Sequence, residues 1–135
     1  MTDKNPTKTS ALWGWALYDW ANSPFTTVII TFVFSTYFAK SIVGDDVQGQ
    51  SLWGYTAAIS GVFIAIGSPI FGAIADVGGR RKPWIAVFSL ICALGSIALW
   101  WATPERSAIP FAMATVVIAT VGFEFGIVFN NAMLP

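Results

Sequence analysis

The sequence predicts an all-α membrane protein with four transmembrane helices, and three observations carry that prediction. The 135 residues are 56% hydrophobic and 10% charged, with a mean hydropathy of +0.67, whereas an average soluble domain is about 25% charged. Four stretches hold the roughly 20 mostly apolar residues that a helix needs to cross a bilayer. The stretches are long and lack the polar–apolar alternation of a barrel strand.

The elements follow in chain order. Residues 1–10 form a polar tail with Lys4 and Lys8. The first span covers about 11–39; its outer part, 25–39, carries no charge, and its inner part contains Asp19. This run is longer than the roughly 7–15 apolar residues of a cleaved signal peptide. The second span covers about 52–75 and is uncharged. Ala57, Gly61 and Ala65 recur on it at four-residue spacing, and Ser68, Gly72 and Asp76 form another such row. Small residues at this spacing let helix backbones approach, so both rows read as helix–helix contacts. The third span, about 83–102, opens on Pro83, a residue suited to the first helical position. The fourth, about 108–130, contains Glu124. Pro24 and Pro69 lie inside spans, where each removes a backbone hydrogen bond and favours a kink.

Charge in the connections sets an orientation. Lys4, Lys8, Arg80, Arg81 and Lys82 share one side, and Lys40 and Arg106 lie on the other with Asp45, Asp46 and Glu105. The positive-inside rule places the N-terminus and the 76–82 turn in the cytoplasm. Trp13, Trp15 and Trp84 near one set of ends, and Tyr37, Trp53, Tyr55, Trp100 and Trp101 near the other, read as interfacial aromatic belts. The cluster Trp13, Trp15 and Trp20 reads as anchors rather than as a substrate cage.

Several functions are excluded on residue type. The chain has no histidine and one cysteine, Cys92, so histidine triads, histidine-ligated metals and an intramolecular disulfide framework fall away. No GxxxxGK[ST] phosphate loop is present. A formal net charge of zero argues against nucleic acid as a partner. No nucleophile–base pair is visible, so an enzyme is not expected, nor a metal or cofactor. The expected partners are the lipid bilayer and a small-molecule solute.

The stretch ADVGGRRKPW, 75–84, packs Asp76, Arg80, Arg81 and Lys82 into one turn. Asp76 sits at a helix C-terminus and the three bases at a helix N-terminus, both of the unfavourable sign. Gly78 and Gly79 allow a sharp left-handed turn. Topology accounts for the bases. Asp76 requires a partner: an arginine of the same turn, or the N-terminus of another helix.

Gly72-Ala-Ile-Ala-Asp76-Val-Gly-Gly79-Arg80-Arg81-Lys82 resembles motif A of the major facilitator superfamily, a G-x-L-A-D-R/K-x-G-R-R/K pattern between helices two and three. Val77 departs from it, since a base is usual there. Tyr18-Asp-Trp-Ala-Asn-Ser-Pro-Phe25 and Asn130-Asn-Ala-Met-Leu-Pro135 resemble segments of the vacuole effluxer branch, which includes autophagy-related amino-acid exporters. The resemblance implies the first part of a twelve-helix fold that works by alternating access. It implies a gating latch of Gly72, Asp76, Gly79, Arg80 and Arg81. In it the aspartate meets a helix of the other half and Arg80 pairs with an acid on helix four, here Glu124. It also implies that the partners of this latch are C-terminal helices beyond the four seen here, so that the chain is an N-terminal fragment.

Asp19 and Glu124 are the ionisable residues deep within spans. Such residues cost about 2.5–3.5 kcal/mol at mid-helix on insertion scales and are functional-site candidates by default. They lie at a similar inner depth. Asp19 and Asn22, with Glu124, are candidates for substrate contact or proton coupling, because apolar surroundings favour the neutral form of a carboxyl group. Structural roles compete: Asp19 bonding to neighbouring helix ends, Glu124 to Arg80. The function expected is secondary active transport of a small solute, such as amino-acid efflux, in a bacterial plasma membrane. A complete four-helix homodimeric exporter and a non-transporting membrane scaffold are the alternatives.

Overall fold

The computed structural model describes residues 9–77 and 81–132. All regular structure among them is helical. Four helices are long and apolar enough to cross a membrane: Thr9–Val43, Asp46–Val77, Arg81–Trp101 and Arg106–Asn131. They are the four transmembrane helices of the sequence reading. The second starts well before the expected residue 52. Its 32 residues reach about 48 Å at 1.5 Å per residue, so its ends project beyond a hydrocarbon core about 30 Å thick.

The first span is not one regular helix. An α-helix over Thr9–Pro24 gives way to π-helical turns over Phe25–Phe32, one α-turn over Val33–Tyr37, and π-helical turns again over Phe38–Val43. The change starts beside Pro24, which has no N–H to give the carbonyl four residues back. Thr26 to Thr31 are all β-branched, and such residues crowd a regular helical turn. The Thr31 hydroxyl donates to the carbonyl of Thr26, five residues back, at 2.9 Å, in the register of the wider turn.

Gly44, with φ of 74°, ends the first span, and its N–H returns to the Ala39 carbonyl at 3.1 Å. Glycine enters this left-handed conformation without steric cost. Asp45 then caps the second span: its Oδ1 accepts the Gln48 N–H at 2.9 Å, in the manner of an N-cap. Asp45 thus has a structural use beyond its charge.

The second span packs along a different row from the small-residue rows of the sequence reading. Ala57, Gly61, Ala65 and Asp76 are exposed, and nothing lies within 4 Å of where a Cβ on Gly61 or Gly72 would stand. The buried row is Gly49, Thr56, Ser60, Gly67 and Ala75. A Cβ on Gly67 would come within 2.3 Å of the Phe125 ring, and one on Gly49 within 2.5 Å of Ala39 Cα. Four-residue spacing finds a smooth face; it does not say which of several smooth faces is used.

The third and fourth spans form the closest pair. A Cβ on Gly95 would lie 2.8 Å from that of Ala119, and one on Gly122 would lie 3.0 Å from the backbone of Phe88 and Cys92. At one end of the bundle Ala75, Phe88, Phe125 and Phe129 form a buried cluster with Phe71 against it. Trp84 belongs to this cluster and not only to the membrane interface: its ring stacks on Phe129 at 5.8 Å and 9°. At the opposite end Phe38, Ile42 and Val43 pack with Ala102, Ala108 and Ala112, and the Tyr37 hydroxyl donates to the Ala102 carbonyl at 3.0 Å. Trp13 and Trp20 stand 65% and 76% exposed, whereas Trp15 is half-buried.

Candidate functional site

Arg81 resolves the electrostatic puzzle of the charged turn. It opens the third helix, where its charge is locally unfavourable. Its guanidinium, however, leaves that helix. Nε donates to the Ala75 carbonyl at 2.8 Å, and Nη1 donates to the Ala132 carbonyl. These carbonyls belong to the C-terminal ends of the second and fourth spans, where unsatisfied carbonyls and a negative dipole end favour a cation. A planar fork of donors suits two carbonyls at once. The expectation that the turn opposes its helices holds within one helix and fails across three. The signal was available: in an up-down bundle the N-terminus of the third span lies beside the C-termini of the second and fourth.

Asp76 is exposed and Gly72 is half-buried, and the carboxylate stands on the outer side of this unit. Gly79 and Arg80 lie outside the described residues, and with them the expected pair of Arg80 and Glu124. Glu124 itself is half-buried on the fourth span.

The inner half of the first span, Thr9–Pro24, has no buried residue. Among the described residues, one side-chain hydrogen bond links it to the other spans. The Tyr18 hydroxyl lies 3.0 Å from the Ser89 hydroxyl and would lie 2.7 Å from a Cβ on Gly126. Tyr18 therefore seats in a notch of the third and fourth spans that glycine leaves open. Sequence reasoning passed over this tyrosine, because aromatic residues near span ends read as interface anchors.

Asp19 follows Tyr18 and is exposed. Ser23, Thr27, Thr31 and Ser35 recur after it at four-residue spacing. Each hydroxyl donates to its own helix: Ser23 to the Asp19 carbonyl, Thr27 to Ser23, Thr31 to Thr26 and Ser35 to Thr31, at 2.8–3.1 Å. The result is a polar stripe from Asp19 to Ser35, headed by a carboxylate and exposed from Asp19 to Thr31. The sequence reading singled out its head and not its length. Asn22 is half-buried beside the stripe and lines a cavity of about 350 Å³ between the first and third spans with Phe25, Ser89, Cys92 and Ser96.

Chemically the stripe can solvate a polar solute or water, because each hydroxyl that donates to its own helix keeps lone pairs free. Among the described residues no group of three or more Asp, Glu, Cys or His could hold a metal ion.

No solved structure matches the chain. A curated relative, the uncharacterized MFS-type transporter YxiO of Bacillus subtilis (strain 168), is 32% identical over 123 residues. The match covers 89% of this chain and 28% of that protein's length. The family model described as vacuole effluxer Atg22 like matches residues 39–135, a stretch that contains the charged turn, Glu124 and the asparagine-rich end of the fourth span. The motifs at both places thus sit within the matched region, and the chain belongs to the vacuole effluxer Atg22-like family of MFS-type transporters.

Proposed function

We propose that this chain forms part of a secondary transporter that moves a small solute, amino acids foremost, by alternating access, without catalysing a reaction. The observation that carries the proposal is the stripe from Asp19 to Ser35. A lipid-facing helix tolerates hydroxyls that bond back to their own carbonyls, but a carboxylate in line with them is costly in lipid, and ionisable groups within a span characteristically face a water-filled cavity or a partner helix. Further helices cover this face and the exposed Gly61 row of the second span, consistent with a relative several times longer than this chain. Asp76 meets the start of one of those helices, while Arg81 holds the second and fourth spans together.

In this reading Asp19 and Asn22 contact the solute or a coupling proton, and Glu124 supports the fourth span near them. The N-terminus and the Arg81 end face the cytoplasm of a bacterial plasma membrane, following the basic residues. The test is flux through the full-length gene product in liposomes, driven by a pH gradient across an amino-acid panel, beside Asp19→Asn. Flux that disappears in Asp19→Asn while the protein stays folded is the expected result. Equal flux in both proteins reduces Asp19 to a structural residue.

A further inference from the structure

The inner half of the first span meets the other spans along one narrow face. From Thr9 to Phe25 the residues that are not exposed are Trp15, Tyr18, Asn22 and Phe25, at spacings of three, four and three that put them on one side of a helix. The face is poorly furnished for packing. The indole N–H of Trp15 is buried and has no acceptor among the described residues, which costs free energy rather than supplying it. Asn22 borders the cavity against the third span. Phe25 is buried but lies beyond Pro24, where the helix leaves the α register. Of the four, Tyr18 is the one whose side chain bonds to another span.

The seat is cut to a tyrosine. The Tyr18 and Ser89 hydroxyls are 3.0 Å apart. A methyl group at position 126 would stand 2.7 Å from the Tyr18 hydroxyl, but 3.8 and 3.9 Å from Phe88 and Ser89, which are ordinary contacts. Glycine at 126 thus makes room for the tyrosine oxygen. A ring that merely filled a gap would need neither the room nor the serine. Asp19 follows Tyr18 and so points about 100° away around the helix. With Tyr18 against the third and fourth spans, the carboxylate takes the side of Ser23 and Thr27 and is exposed as they are.

We infer that Tyr18 is a positioning residue for Asp19. Its ring, seated over Gly126 with the hydroxyl on Ser89, sets the rotation of Thr9–Pro24 and so aims the carboxylate along the stripe. The consequence for solute movement rests on the transport reading; the aim of the carboxylate does not.

The experiment reads the carboxylate itself. The full-length gene product in nanodiscs is treated with a water-soluble carbodiimide and glycine ethyl ester, which together turn accessible carboxylates into amides, and peptide mass spectrometry quantifies each site. Gly126→Ala and Tyr18→Ala are each expected to lower the labelling of Asp19 several-fold. Asp45, Asp46 and Glu105, exposed at the opposite end, are expected to stay unchanged and so report an intact fold. Tyr18→Phe keeps the ring and loses the bond, and is expected to lower the labelling less. Tyr18→Phe added to Gly126→Ala is expected to restore it to the level of Tyr18→Phe alone, because the collision goes with the hydroxyl. A general packing defect at Gly126 has no such rescue. L-leucine flux driven by a pH gradient in liposomes is expected to follow the same order. Asp19 labelling that ignores Gly126→Ala, a double variant as poor as Gly126→Ala, or a loss shared with Asp45, Asp46 and Glu105 overturns the inference. Flux that needs Asp19 while its labelling ignores Gly126→Ala overturns the positioning role and spares the transport reading. Labelling in the expected order, with no leucine flux from wild type, does the reverse.

Discussion

The first and fourth spans are both apolar enough to cross a membrane, yet the bundle uses them in opposite ways. The fourth buries nine residues between Ile109 and Asn131. It receives the aromatic cluster at one end and the alanine contacts at the other, and its glycines are pressed by neighbours. The first buries nothing before Phe25, turns π-helical beyond Pro24, and carries Ser23, Thr27 and Thr31 outward. One helix is built to be held and the other to be faced. Hydropathy cannot tell them apart, because lipid, protein and a solute path all accept a helix with this many apolar residues.

The comparison can be broken most forcefully at Phe129, which is fully buried. Phe129→Ala is expected to destabilise the protein by about 3 kcal/mol, the lower end of the usual range, because in lipid only the lost packing counts. Trp20→Ala on the first span is expected to change stability by less than about 0.5 kcal/mol. Thermal unfolding in detergent measures both, and equal effects abolish the contrast. Next comes Arg81→Lys. An ammonium cannot reproduce the fork to Ala75 and Ala132, so a loss of about 1.5–3 kcal/mol is expected, the range for a hydrogen bond from a charged group. An unchanged melting temperature shows that the two carbonyls do not need the guanidinium. Then Gly95→Val, which drives a side chain into Ala119, is expected to cost about 1–3 kcal/mol. Gly61→Val, with open space around it, is expected to cost well under 1 kcal/mol. The smallest effect sharpens the contrast at its one exception. A double-mutant cycle of Tyr18→Phe and Ser89→Ala is expected to give a coupling of about 0.6 kcal/mol, the average for such bonds within membranes. No coupling leaves the inner half of the first span without its pin.

Helix number, span order and family were legible because each rests on runs of residues or on a contiguous motif. What stayed hidden was relational. The basic turn looked frustrated when read along one helix, and Arg81 became intelligible only once three helix ends stood together. The Ala57–Gly61–Ala65 row looked like a packing face, but which smooth face is covered depends on the neighbour, and Phe125 selects Gly67. Asp19 was conspicuous as a charge among apolar residues. Ser23, Thr27, Thr31 and Ser35 were not, because each hydroxyl alone is ordinary in a span and only the four-residue repetition makes a surface. Tyr18 was hidden by its type, since nothing near it in sequence indicates the gap over Gly126.

Arg81 also sets a clock. Its two acceptors are 6 residues behind it and 51 ahead. Chains are made N-terminus first at roughly 5–20 residues per second. The guanidinium therefore has its first partner at once and waits roughly 3–10 s for its second. During that interval the second and third spans are already tied at one end while the fourth is still being synthesised. The residue that clasps these spans is thus fully engaged only once the fourth has arrived.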